Sequence, residues 1–192
     1  MKTIIIASNN QGKITEMSNL LKDFDVEIKG LKDVGITELP EETGTTFAEN
    51  SLIKSNFVFE KTGLPALADD SGLGIDCFNG FPGLFSARFA DAIGGYPATF
   101  EALNKIILPS NKKIYFTCCI SYTDKNIKET FEGRVDGTFT YPAKGEGGFG
   151  YDPIFQPDGF DKTFSELGID IKQKISHRTL AMQKFLTFYH SI

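Results

Sequence analysis

Two short acidic stretches carry the residue types that hydrolytic or metal chemistry needs: Glu41-Glu42-Thr43-Gly44 and Asp69-Asp70-Ser71-Gly72. Carboxylates that converge on one point repel each other. A Mg²⁺ ion relieves that repulsion, and hard oxygen ligands suit it. Neighbouring residues of an extended segment point to opposite sides. Only one of Asp69 and Asp70 is therefore expected to face a given ligand, while the other holds a loop or a nearby group. A surface Asp-Ser-Gly turn is the plainer alternative. A third stretch, Ser8-Asn9-Asn10-Gln11-Gly12-Lys13, follows an apolar run. At a strand-to-helix turn its amides, hydroxyl and Lys13 suit phosphate oxygens. It is not a Walker A loop, which needs a further Gly and a Lys-Ser/Thr pair. The alternative is an Asn-rich helix cap.

Three further places complete the set. Gly145–Pro153 reads Gly-Glu-Gly-Gly-Phe-Gly-Tyr-Asp-Pro. Glycines are costly to order, so such a cluster implies positive φ or close backbone approach. The ring of Phe149 offers a flat face for a flat ligand such as a nucleobase, or fills a hairpin loop. Ser176-His177-Arg178 stands where a last helix should begin. A cation there opposes the helix dipole unless an acceptor such as a base carbonyl, a phosphate or an acidic partner answers it. Asn50 and Lys54 are i, i+4 neighbours on one helix face, which is solvated or aimed at a phosphate or carboxylate.

The elements that must position these groups follow from pattern. Ile4–Ala7 reads as a central strand, and a helix with Ile14, Met17, Leu20 and Leu21 on one face runs to Asp23. Val26–Ile28 is a parallel second strand. Thr46 with Glu49 forms a capping box that opens a helix ending near Thr62, Gly63 and Pro65. Ala66–Ala68 and Leu73–Cys77 read as short strands, residues 78–95 as a shaped loop, and Pro97–Leu108 as a helix. Ile114–Thr123 and Lys128–Tyr141 form an antiparallel pair about Asp124-Lys125-Asn126. Lys172 is expected in the loop before the last helix, which carries Ala181, Phe185 and Phe188 on one stripe. The sum is an α/β fold with a mixed sheet.

Composition narrows the classes. The 192 residues suit one domain or two lobes, and 41% hydrophobic with 23% charged is ordinary for a globular chain. A net charge of −5 argues against binding long nucleic acid non-specifically. No apolar run reaches the ~20 residues of a membrane span, and the start lacks a signal-peptide core. Three cysteines, with Cys118 and Cys119 adjacent, make a disulfide or zinc framework improbable and suit a reduced, cytoplasmic protein.

Taken in order, Ser8–Lys13, Glu41–Gly44, Phe47–Lys54, Ala68–Leu73, Pro82–Phe89, Gly147–Pro153 and Ser176–Arg178 resemble the Ham1/RdgB family of inosine triphosphate pyrophosphatases. The resemblance spans nearly the whole chain. It implies a mixed twisted sheet flanked by helices, in one domain (1–192) of two lobes with a cleft between them. It also implies Mg²⁺-dependent hydrolysis of purine triphosphates such as ITP, dITP and XTP to monophosphate and pyrophosphate, usually by a homodimer. By position, Ser8, Asn9, Asn10, Gln11, Gly12 and Lys13 correspond to the triphosphate loop, and Lys54 and Ser71 to substrate contacts. Asp70 corresponds to the general base, and Glu41 with Asp70 to the metal ligands. Phe149, Gly150, Tyr151 and Asp152 correspond to the nucleoside site, and Lys172, His177 and Arg178 to the base edge. Asn9 replaces a common Gly, and Ala90–Pro97 is shorter than in many relatives. A Maf-type pyrophosphatase of modified pyrimidines, a nucleotide-binding regulator without turnover and a Phe-rich scaffold are the competing readings.

Overall fold

The computed structural model describes residues 2–191. Strand β1 (Lys2–Ile6) buries Ile4, Ile5 and Ile6 completely. The polar run after it stops the strand, and Asn10 caps helix α1 (Gln11–Leu21), its side chain accepting from the Lys13 amide at 3.2 Å. Strand β2 (Val26–Gly30) returns parallel to β1 with Ile4 opposite Ile28, the expected crossover. Helix α2 (Phe47–Thr62) opens on Thr46, whose hydroxyl accepts from the Glu49 amide, and closes on Gly63 at φ 69°. Glu49 reaches back one residue further than in a simple capping box, to the amide and hydroxyl of Thr45.

Strand β3 (Ala66–Ile75) lies parallel beside β1 and is one unbroken run of 10 residues where two short strands were expected. Its glycines are there for clearance. A Cβ on Gly72 would stand 2.1 Å from the Gly83 carbonyl oxygen, and one on Gly74 would stand 2.3 Å from the Tyr115 ring. The expected loop over residues 78–95 contains helix α3 (Ser86–Ile93), and helix α4 (Tyr96–Ile106) follows with Pro97 in its first turn. Strands β4 (Lys113–Thr123) and β5 (Lys128–Phe139) neighbour each other and are joined at Asp124, whose Oδ1 accepts from the amides of Asn126 and Ile127. Strand β6 (Phe155–Pro157) pairs antiparallel with β5. The sheet order is β2-β1-β3-β4-β5-β6, so the mixed, helix-flanked α/β architecture is the one expected.

Helix α5 (Phe164–Ile175) is the main departure, for the sequence reading had Lys172 in a loop there. Gly168, at φ 76°, interrupts the helical backbone and hid the pattern. The overlooked signal was Thr163 with Glu166, a full capping box. Helix α6 (His177–Tyr189) closes the chain and buries Ala181, Met182 and Phe185.

Two compact units divide the chain. The first holds residues up to Asp70, Cys118–Gly133 and everything from Arg178, and the second holds Ser71–Thr117 and Arg134–His177. The boundary falls within β3, β4 and β5. The first unit has one core of Ile4, Ile6, Met17, Leu67, Cys118, Ile120 and Phe185 with their neighbours, and another around Ile5, Ala7, Val58 and Ala68. The second unit is built on Phe100, Phe116, Phe155 and Phe164. Among the described residues no helix is long and apolar enough to cross a membrane.

The Thr163 hydroxyl also donates to the Lys144 carbonyl at 2.9 Å, tying the glycine-rich loop to the start of α5. Thr163→Ala is expected to lower stability by about 1–2 kcal/mol. Urea denaturation checks this, and an unchanged midpoint would show that the cap carries no stability.

Candidate active site

Asp69 and Asp70 stand at the point of β3 where the first unit ends, and the strand's alternation gives them different company. Asp69 is 1% exposed. Its Oδ2 accepts from Arg178 Nη2 at 2.9 Å and Nε at 3.2 Å, and its Oδ1 lies 3.0 Å from Lys13 Nζ. The Cys118 thiol sits 3.6 Å from the same carboxylate. Burial alone would raise the Asp69 pKa, but Lys13, Arg178 and Lys54 hold the carboxyl well below the ordinary range. Burial likewise pushes the Cys118 thiol far up, and Asp69 adds to that.

Arg178 is 1% exposed, and its Nη1 donates to Glu16, a buried residue of α1. Burial opposes its charge, but Asp69 and Glu16 keep the guanidinium firmly protonated. The apparent conflict of a cation with the dipole at the start of α6 is thus answered by two carboxylates of this chain. Of the partners expected for Arg178, a base carbonyl, a phosphate or an acid, the structure shows the acid. Glu16 was not singled out, although its i, i+3 spacing from Lys13 on α1 was visible.

Asp70 meets a second set. Asn50 Nδ2 donates to its Oδ2 at 3.0 Å, and Lys54 Nζ lies 3.9 Å from its Oδ1. Asn50 and Lys54 do share one face of α2, and that face is buried. The same ammonium is 2.5 Å from Glu42 Oε1. The loop carrying Glu42 is pinned because the Gly44 amide donates to Asn50 Oδ1 at 2.8 Å. Only glycine allows this approach, since a Cβ on Gly44 would lie 2.6 Å from Glu49 Cβ and 2.7 Å from that oxygen. Glu41 is exposed, and the carboxylate brought to Lys54 is that of Glu42. Burial raises the Asp70 pKa and Glu42 adds to the rise, outweighing Lys54, Lys13 and the Asn50 amide. Two neighbouring carboxyls are therefore driven apart, the pattern by which one becomes a base and the other stays a fixed charge.

Ser8 is buried and its hydroxyl accepts from the Asn10 amide at 3.2 Å. Asn9, Asn10 and Gln11 are exposed, Gly12 and Lys13 half-buried, so the expected phosphate turn is open at its tip.

Ser71, half-buried on β3, belongs to the second unit, as do the remaining expected residues except Arg178. Asp152 is 2% exposed, and its Oδ2 accepts from the Phe149 amide at 2.9 Å and from Lys172 Nζ at 2.5 Å. That ammonium stands 4.6 Å from the Phe149 ring centroid. Gly148 must lack a side chain, because a Cβ there would lie 2.2 Å from Asp152 Oδ2. Gly150, at φ 64°, carries the chain into Tyr151, whose hydroxyl donates to the Ser86 carbonyl at 2.8 Å. His177 is buried with its ring stacked on Phe116 at 4.7 Å. Phe149, Asp152 and Lys172 thus form one contact set, and His177 makes its contact on the wall of the Phe core.

The Ham1 family pattern matches residues 4–188. The chain belongs to the Ham1 family. A dITP/XTP pyrophosphatase of Leptospira biflexa is 42% identical over 100% of this chain and 98% of its own length. One from Agrobacterium fabrum is 39% identical over 96% and 94%. The structure of a Ham1 protein from Staphylococcus aureus superposes with a TM-score of 0.86 at 37% identity, covering 99% of both chains. That of a Ham1 protein from Coxiella burnetii gives 0.85 at 36% identity, covering 100% of both.

For this Ham1 chain the donor set can be tested against Mg²⁺. Among the described residues no group of three or more His, Cys, Asp or Glu gathers as a metal cage. Mg²⁺ commonly takes one or two carboxylates and completes its shell with water and substrate phosphates. Asp70 with Glu42 fits that demand: both carboxylates lie within 4 Å of the same Lys54 ammonium, so they converge on one point.

Two outcomes follow. Arg178→Met leaves Asp69 and Glu16 without their cation and is expected to cost about 3–5 kcal/mol in urea denaturation at neutral pH. A loss under about 1 kcal/mol would mean the cluster is solvated. Carboxyl ¹³C NMR of the metal-free protein should show Asp69 titrating below, and Asp70 above, the usual ~3.9. The stability lent by Asp69 is then present above that pH and lost as pH falls through its folded value. Asp70 acts oppositely, its contribution being present at low pH and lost as pH rises through its folded value.

Proposed function

We propose that the chain hydrolyses purine nucleoside triphosphates such as dITP, ITP and XTP to the monophosphate and pyrophosphate, keeping altered bases out of the nucleotide pool. The opposed environments of Asp69 and Asp70 carry this reading. One carboxylate is locked in its charged state by Lys13 and Arg178, and burial and Glu42 raise the pKa of its neighbour. The dITP/XTP pyrophosphatases that match the chain end to end support the choice of substrate. In this reading the chain is a cytoplasmic enzyme, a single domain of two lobes working as a homodimer.

The first unit serves the phosphates. The Ser8–Lys13 turn receives the triphosphate on exposed amides at the start of α1, where the helix dipole favours an anion. Lys13 and Lys54 supply positive charge, and Ser71, the residue after Asp70 and the first of the second unit, donates its hydroxyl. Asp70 takes the proton from the attacking water, and Asn50 orients its carboxylate. Asp70 with Glu42 or Glu41 would hold Mg²⁺, which when bound offsets phosphate charge and makes bound water more acidic. Asp69 stays ionised and positions Lys13.

The second unit serves the nucleoside. Phe149 offers its ring to the base, and Gly150, Tyr151 and Asp152 fix the loop that carries it. Lys172 and His177 face the base edge, and Arg178 supports the phosphate side through Asp69. Hypoxanthine and xanthine carry a carbonyl at C6, whereas adenine carries a donor there. A buried donor beside the base, such as a backbone N–H, pairs with the former and meets another donor in the latter, which gives large discrimination.

Pyrophosphate release from ITP, dITP, XTP, ATP and GTP, with and without Mg²⁺, tests the reading. Turnover of ATP as fast as ITP would sink the proposed specificity, and release of phosphate in place of pyrophosphate would sink the reaction. Asp70→Asn is expected to keep the fold, by circular dichroism, and to lower kcat about 10²–10⁴-fold. Near-normal turnover of ITP would remove Asp70 from the role of base.

A further inference from the structure

We propose that Lys54 is a built-in counter-ion for the Asp70–Glu42 pair, so that a divalent cation binds by exchange with its ammonium, which then becomes available to the nucleotide. The inference deepens the reading above and rests on its assignment of a metal to these carboxylates. Lys54 is 6% exposed, and its Nζ lies 2.5 Å from Glu42 Oε1 and 3.9 Å from Asp70 Oδ1. The ammonium thus serves both carboxylates that would hold a metal. Burial opposes its charge, and Asp70, Asp69 and Glu42 more than restore it.

Two cations contending for one carboxylate pair weaken each other, because each meets charge already partly neutralised. The protein without metal then avoids leaving the buried Asp70 and the half-buried Glu42 uncompensated, which would be costly. With a metal held by Asp70 and Glu42, Lys54 would be released from Glu42 and its ammonium would be available to a phosphate. Metal and nucleotide binding are coupled by the same lysine, and metal affinity is low until substrate arrives.

The test needs no nucleotide, so its failure is separable from failure of the catalytic reading. Mg²⁺ titrated into nucleotide-free protein by calorimetry should bind Lys54→Met about tenfold or more tightly than wild type. Lys54→Arg, which keeps the charge, should bind as wild type does. The metal-free Lys54→Met protein should melt lower than wild type and recover with Mg²⁺. Equal or weaker Mg²⁺ binding by Lys54→Met would overturn the proposal. A variant recovered folded only when Mg²⁺ is present supports it. Should Lys54→Met not fold at all, lysine ¹⁵Nζ NMR of the wild type decides. The Lys54 signal should change as Mg²⁺ is added, and a signal indifferent to saturating Mg²⁺ would overturn the exchange.

Discussion

Charge taken out of water has to be answered within a few ångströms, and the rest of the first unit is organised around that demand at Asp69 and Asp70. An isolated buried carboxylate costs several kcal/mol, and its attraction to a partner repays this only with close geometry and further hydrogen bonds. Asp69 meets the condition through Lys13 from α1, Arg178 from α6 and a thiol from β4. Arg178 in turn needs Glu16. One buried acid within β3 therefore holds groups from three other elements. The turn that precedes α1 inherits its position from that arrangement.

Asp70 is solved differently, and the difference is what gives the site its chemistry. Its partners are a neutral amide and a more distant ammonium, with a second carboxylate nearby. The first aspartate is over-supplied with positive charge and the second under-supplied. A single residue step along an extended backbone, with its change of side, is enough to separate a fixed anion from a proton acceptor. The second unit repeats the principle on a smaller scale, with Asp152 holding Lys172 over the Phe149 ring.

Much of this was legible in the chain. The strand-helix-strand start, the capped α2, the β4–β5 pair and the last helix follow from period and punctuation, and the structure has them. The alternation of Asp69 and Asp70 follows from strand geometry alone. Other features were hidden because glycine has more than one use. The run ending in Gly72 read as a break between two strands, yet Gly72 gives clearance to Gly83, as Gly74 does to Tyr115, within one strand. Gly168 concealed α5 and put Lys172 in a loop. Residue type also does not say which groups will meet. Arg178 looks like a hand held out to a ligand until Glu16, over 160 positions away, is seen beside it. Glu42 and Glu41 are indistinguishable in the chain, and only the pinned Gly44 turn decides which one meets Lys54.

Gly44 and Gly148 share a property with a consequence beyond geometry. At each, the volume a methyl group would need is already held by an oxygen of a working side chain, Asn50 in one case and Asp152 in the other. Both sit outside the helices and strands. A side chain at Gly44 would press on Asn50 directly, and one at Gly148 would press on Asp152 while also straining a backbone held at φ 75°. Substitutions there would be felt first by the groups around Asp70 and Lys172.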